Sequence, residues 1–141
     1  MTSVNASTKL STTKFLWTND RLIVSCIDHS GSMKTIDISD YLKLIKLIDS
    51  GLISGVGNIQ ITCAYAMVLA AKELDTFDNK YYSKLLKISL NIETINKTNL
   101  SSIVKRMLSA GDDANGPVNG KNVVVKKMIL EANLIEKEKS V

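Results

Sequence analysis

Residues 51–71 read GLISGVGNIQITCAYAMVLAA, and this stretch decides the fold. Gly51, Gly55 and Gly57 mark a turn, after which the chain becomes almost wholly apolar. From Ile59 to Leu74 the chain is apolar on nearly every side of a helical period, which predicts a helix surrounded by protein. Ala64, Ala66, Ala70 and Ala71 let neighbouring helices approach it closely. Ser54, Gly55, Val56, Gly57 and Asn58 form the candidate anion-binding turn. Its glycines let backbone N–H groups converge at a helix start, where the dipole favours negative charge. The competing reading is a tight packing turn between two helices.

On the N-terminal side, Lys14-Phe15-Leu16-Trp17 and Arg21–Ile27 are β-prone runs joined by Thr18-Asn19-Asp20, the pattern of a hairpin. His29-Ser30-Gly31-Ser32 supplies a second turn. From Asp37 the pattern turns helical, with Asp37 or Ser39 as the expected N-cap. Tyr41, Ile45, Ile48 and Leu52 share one face, Leu44 and Leu47 flank it, and Gly51 ends the helix. Beyond the central helix, 79–90 reads as a helix with Tyr82, Leu85, Leu86 and Ser89 on one face. Asn99 or Ser101 starts another that carries Ile103, Val104, Met107 and Leu108. Residues 110–120, AGDDANGPVNG, read as a loop. A last helix over 122–138 shows a stripe of Val124, Met128, Ala132 and Ile135. The expectation is a mainly α fold, an N-terminal β-hairpin followed by a five-helix bundle with a buried central helix. Residues 1–12, rich in Ser, Thr and Asn, read as a flexible arm, and 13–141 as a single domain.

A chain of 141 residues fits one domain, and at 45% hydrophobic residues it has enough apolar material for one core. The net charge is +4, but the lysines are interspersed with Asp and Glu, so no nucleic-acid footprint stands out. The segment KKMILEANLIEKEK alternates in sign like a solvated helix face. Cys26 and Cys63 lie in no Cys-x-x-Cys pair and read as reduced, buried thiols. No signal-like segment and no membrane-length apolar run is present, so the expected setting is the cytoplasm, with no membrane partner.

Four segments, in order, resemble a known family. Trp17-Thr18-Asn19-Asp20-Arg21-Leu22 with Ile27-Asp28-His29 is similar to the opening hairpin of the methylthioribose-1-phosphate isomerases. That family also contains ribose-1,5-bisphosphate isomerase and the regulatory subunits of translation initiation factor 2B. The helix from Tyr41 to Leu52 is similar to the one leading into the family's substrate loop. Ala64-Tyr65-Ala66-Met67-Val68-Leu69-Ala70-Ala71 resembles the family's Ala-Tyr-Gly-Met-Ala-Leu-Ala-Ala. Asn99-Leu100 followed by Arg106-Met107 resembles a later helix. The resemblance covers about Trp17 to Glu138 and implies the family's N-terminal helical domain alone.

The departures bear on function. The family's loop reads Arg-Gly-Ala-Pro-Ala-Ile-Gly, and its Arg and backbone amides hold the sugar phosphate. Here Ser54 stands at the Arg position and supplies neither fixed charge nor a bidentate fork. A second family Arg aligns with Thr94, and only Lys97 lies near it in sequence. The resemblance places the catalytic Cys and Asp in a C-terminal Rossmann-like domain that these 141 residues lack. Cys63, inside the apolar helix, is no substitute. The expectation is a degenerate active site with no catalytic residue, no metal and no cofactor. The implied function is a regulatory or protein-binding module, whose partner is a translation factor subunit or a separate Rossmann-like isomerase domain. The alternatives are half of a split or truncated sugar-phosphate isomerase, and a small module binding a phosphate-bearing metabolite.

Other residues read blandly. Asp112-Asp113-Ala114-Asn115-Gly116 resembles part of a calcium loop, but position twelve is Val123 where a bidentate Glu is needed. His29 reads as a turn residue, and Asp28 as the side chain that orders that turn. Asp49 has no second carboxylate at helical spacing to form an acid/base pair. Trp17 reads as a core contact of the hairpin.

Overall fold

The computed structural model describes residues 13–28, 30–74, 81–94, 99–113 and 120–139. Strands β1 (Lys14–Thr18), β2 (Arg21–Ile27) and β3 (Met33–Ile38) form an antiparallel sheet in that order. Asn19 (φ 52°) and Asp20 (φ 64°) make the β1–β2 turn, and short polar side chains of this kind tolerate the left-handed region a tight hairpin needs. On β2 the buried residues alternate, with Leu22, Val24 and Cys26 facing inward. The β2–β3 turn is ordered by Asp28 as expected. Its carboxylate accepts from the Ser30 N–H (2.9 Å), the Ser30 hydroxyl (2.7 Å) and the Ser32 N–H (2.9 Å).

Strand β3 corrects the expected boundary at Asp37. Ile36 and Ile38 pair with Val24 and Leu22, which continues the two-residue alternation across the hairpin into a third strand. Asp37 lies within that strand and pairs with Arg21 at 2.8 Å. The cap of the following helix, α1 (Tyr41–Asp49), is Asp40, whose carboxylate accepts the Leu42 N–H at 2.8 Å. Gly51 (φ 83°) ends that segment in the left-handed conformation, as its position implied.

Helix α2 (Val56–Glu73) is central, as its composition requires. It packs against α1, α3 (Tyr81–Glu93), α4 (Ser101–Asp113) and α5 (Gly120–Lys139). Helix α3 is turned slightly from the expected face. Tyr81, Leu85, Ser89 and Ile92 are buried, while Leu86 is exposed. The Tyr81 hydroxyl donates to the Ala71 carbonyl at 2.9 Å, which fixes this rotation. Helix α4 opens after Asn99, whose side chain accepts the Ser101 N–H at 3.1 Å. It continues to Asp113, so the first residues of the expected 110–120 loop are helical; 114–119 lie outside the described residues. In α5, Val124, Met128, Ala132 and Ile135 are all buried, as the stripe predicted. The expected arm, 1–12, also lies outside the described residues. Among the described residues no helix is long and apolar enough to cross a membrane.

Tyr65 ties three layers together from the middle of α2. Its ring stacks on Phe15 (6.0 Å between centroids) and on Trp17 (6.3 Å), which makes Trp17 the core contact it was expected to be. Its hydroxyl reaches the Glu136 carboxylate at 2.6 Å and the Asn133 side-chain oxygen at 2.8 Å. The hydroxyl has one proton, and the nearer, charged acceptor is Glu136. Burial, followed by the hydrogen bond to Glu136, pushes ionisation of this phenol far up. Tyr65→Phe keeps the ring contacts and removes the donor that ties α2 to Glu136 and Asn133. It is expected to cost about 1–3 kcal/mol in urea unfolding; a loss below about 0.5 kcal/mol, the level of an ordinary surface change, would show that the hydroxyl is not a structural tie.

Candidate functional site

The Ser54–Asn58 turn is built by the local requirements of the α2 start. Gly55 occupies the N-cap position at φ 92° and ψ 140°, so no side chain caps this helix. The first hydrogen bond of the turn runs from the Ile59 N–H to the Gly55 carbonyl at 2.9 Å. The earlier N–H groups therefore have no helical acceptor. The Asn58 side chain turns back, with Nδ2 donating to the Ser54 carbonyl at 3.1 Å. Ser54, Gly55 and Val56 are exposed. The turn therefore opens α2 with amides outside the helical pattern, at a partly exposed helix start.

Its electrostatics are altered by a neighbour 82 positions away in sequence (139 − 57). The last turn of α5 closes on the first turn of α2. A Cβ placed on Gly57 would lie 2.7 Å from the Lys139 carbonyl oxygen and 3.8 Å from its Cβ. Gly57 thus serves close helix packing, and the negative pole of one helix meets the positive pole of another. The carbonyl offsets part of the field that would draw an anion. Lys139 also brings a basic side chain's root to the turn, and no local signal in the sequence pointed to it.

The other residues singled out by the sequence do not converge here. Thr94 ends α3, and its hydroxyl donates to the Asn91 carbonyl at 2.9 Å. That is a helix C-terminal pole, the wrong sign for a phosphate. Lys97 and His29 lie outside the described residues. Asp49 is exposed at the end of α1. Among the described residues no group of three or more His, Cys, Asp or Glu side chains is placed to hold a metal. Cys26 and Cys63 are free thiols and fully buried. Burial pushes the Cys63 thiol up to about 12, so it stays protonated and unreactive near neutral pH.

Arg106, the arginine carried by the family resemblance, is spent on a structural clasp. Its Nε and Nη2 donate to Glu131 Oε2 at 3.0 and 2.7 Å. Its Nη1 and Nη2 donate to Glu138 Oε1 and Oε2 at 2.7 and 3.0 Å. The clasp joins α4 to α5 beside a shallow, open groove lined by Lys105, Ser109 and Ala110. With both faces of the guanidinium occupied, Arg106 has no fork left for a phosphate.

The fold and turn define a class, a mainly helical domain opened by a small antiparallel sheet, with a glycine turn leading into its central helix. Comparisons show which proteins it resembles. A methylthioribose-1-phosphate isomerase of Trichodesmium erythraeum (strain IMS101) is 29% identical over 108 residues, 72% of this chain and 30% of the relative. The enzyme of the same name from Crocosphaera subtropica (strain ATCC 51142 / BH68) is 28% identical over 128 residues, 87% of this chain and 36% of the relative. The crystal structure of translation initiation factor eIF-2B, subunit delta, from A. fulgidus superimposes with a TM-score of 0.74 at 20% identity, covering 91% of this chain and 37% of that one. No protein-family profile matches. In sequence the chain is similar, at low identity, to part of the methylthioribose-1-phosphate isomerases, and in fold to part of the initiation factor 2B subunit. It spans about a third of the length of these curated relatives.

Two expected outcomes follow from this geometry. Alanine normally stabilises a helix relative to glycine, but Gly57→Ala would drive a methyl group into the Lys139 backbone. It is expected to lower stability by about 1–3 kcal/mol in thermal unfolding; an increase in the unfolding midpoint would refute the helix-to-helix contact. The second concerns pH. The hydrogen bonds from Arg106 hold the Glu138 carboxyl below the usual carboxylate range. A depressed folded-state value adds stability above the unfolded value and loses it as pH falls through the folded one. The stability gap between the native chain and Arg106→Gln should therefore be full near neutral pH and shrink on acidification below about pH 4. Urea midpoints for both proteins across that range would test it, and a gap that widens in acid would contradict it.

Proposed function

We propose that this domain is a non-catalytic regulatory or protein-binding module that acts in the cytoplasm, its isomerase-type phosphate site degenerate. The observation that carries the reading is the glycine turn. Ser54 stands where the family's loop is read as Arg, and the α5 carbonyl end lies against the amides that remain. Interactions with a sugar phosphate that lack a fixed cation would leave little binding energy for a reaction. The likeness to an initiation factor 2B subunit supports a protein partner, and a translation factor subunit is the proposed one.

A second reading is favoured by the names of the sequence relatives, both methylthioribose-1-phosphate isomerases. Here the domain is one part of a split or truncated isomerase whose Rossmann-like domain lies on another chain. A third, an anion- or metabolite-binding module, draws on the exposed amides of residues 54–58 and on Lys139 beside them. One experiment separates the first two. The tagged chain is isolated from its own cell extract under native conditions and its partners are read by mass spectrometry. Stoichiometric recovery of translation factor subunits is the expected result. Recovery of a Rossmann-like domain, with sugar-phosphate isomerisation by the reconstituted pair, would replace it with the split enzyme. Calorimetry with ribose 5-phosphate addresses the third, and no heat at millimolar ligand is expected.

A further inference from the structure

Helix α5 has two apolar lines, and only one faces the core. Val124, Met128, Ala132 and Ile135 are fully buried against the bundle. Val123, Leu130 and Leu134 are exposed at 37%, 55% and 50%. At about 100° per residue these three fall within about 40° of one another, on the far side of the helix from the buried line. They are therefore not the rim of the core. With Lys127 and Lys137, both exposed, they follow alternating spacings of four and three, the seam of a helix that packs against another helix.

The charge on this face is one-sided for a specific reason. The acidic side chains of α5 are turned to internal tasks. Glu131 and Glu138 hold Arg106, and Glu136 accepts from Tyr65. Lys126, Lys127 and Lys137 are exposed, and among the described residues none forms an ion pair. The acids nearest this seam, Glu131 and Glu138, are already held by Arg106. An apolar seam flanked by unpaired Lys127 and Lys137 therefore calls for a partner with apolar contacts and carboxylates beside them. A second copy of this face would bring the same lysines and no free acid.

We propose that the outer face of α5 is a docking seam for an acidic amphipathic helix of a partner protein. The partner's apolar side chains pack on Val123, Leu130 and Leu134, and its carboxylates pair with Lys127 and Lys137. This rests on the reading of the domain as a protein-binding module and gives that module its surface and the chemistry of its ligand.

The probe is a designed, fluorescently labelled helical peptide with Leu at its seam positions and Glu beside them. A counterpart carries Lys in place of Glu, and both are titrated with the full chain by anisotropy. The acidic peptide is expected to bind at least about tenfold more tightly, with affinity falling as salt rises. The double variant Lys127→Glu with Lys137→Glu should reverse the preference. Leu130→Ala with Leu134→Ala should weaken binding by about tenfold or more. All four positions face outward, and circular dichroism with a urea midpoint checks that the variants stay folded. Absence of peptide binding, equal binding of both peptides, or a preference that survives charge reversal overturns the proposal. So does sedimentation that shows a dimer which the leucine variant dissolves, since the occupant is then a second copy. Binding of phosphatidylserine vesicles or duplex DNA in place of the acidic peptide also overturns it. Failure here is distinguishable from failure of the module reading. An extract partner that stays bound to both double variants leaves the module and removes the seam; a peptide that binds as expected, with no partner in the extract, does the reverse.

Discussion

Residues 61–71 of α2 are buried in an unbroken run, and the rest of the structure depends on keeping them so. A helix that is apolar on every side has no stable place at a surface, so the chain must supply cover all round it. The sheet and four other helices provide this cover, with α5 in the most extensive contact. The small residues Ala64, Ala66, Ala70 and Ala71 set how closely the cover approaches. The polar groups within the run are met locally. The Thr62 hydroxyl donates to the Asn58 carbonyl at 2.7 Å, one turn back on the same helix. Tyr65 needs an outside partner and finds it on α5, so a hydroxyl from the central helix also ties down the rotation of its neighbour.

The fold was largely legible because this constraint is written in composition. A run of residues without a polar side can only be central, and the inward stripe of α5 follows from periodicity alone. Errors arose where the deciding contact is long-range. Residues 33–36 carry no element in the sequence reading, and the helical pattern is placed from Asp37. The strand character of 33–38 depends on Val24 and Leu22 opposite Ile36 and Ile38, and nothing local in that segment announces the pairing. The exposure of Leu86 on α3 has the same origin, since the hydrogen bond from Tyr81 to the end of α2 at Ala71 fixes the rotation of that helix.

The site was legible in part. That 54–58 is a glycine turn opening a helix was plain from Gly55 and Gly57. What the turn faces was not, because Lys139 reaches it from the other end of the domain. Gly57 illustrates the ambiguity of a glycine read from sequence. It looks like an amide made available to a ligand, and in the structure it makes room for another backbone. Arg106 is the mirror case, a residue singled out by the sequence resemblance that in the structure serves two carboxylates.

These internal pairings bear on what the surface can do. Every acid that α5 contributes to the clasp or to Tyr65 is one acid fewer to neutralise its own lysines. A helix whose sequence alternates in sign, and which reads as an evenly solvated face, becomes polarised once folded. Its acids are paired with Arg106 and Tyr65, and its exposed bases Lys126, Lys127 and Lys137 are left without an ion pair among the described residues. The net charge of +4 is too small to mark a binding surface by itself, but its distribution depends on which charges the fold consumes. Reading such a surface therefore requires the interior hydrogen bonds first. The same bonds that stabilise α5 against α2 and α4 determine the sign of the face it turns to solvent.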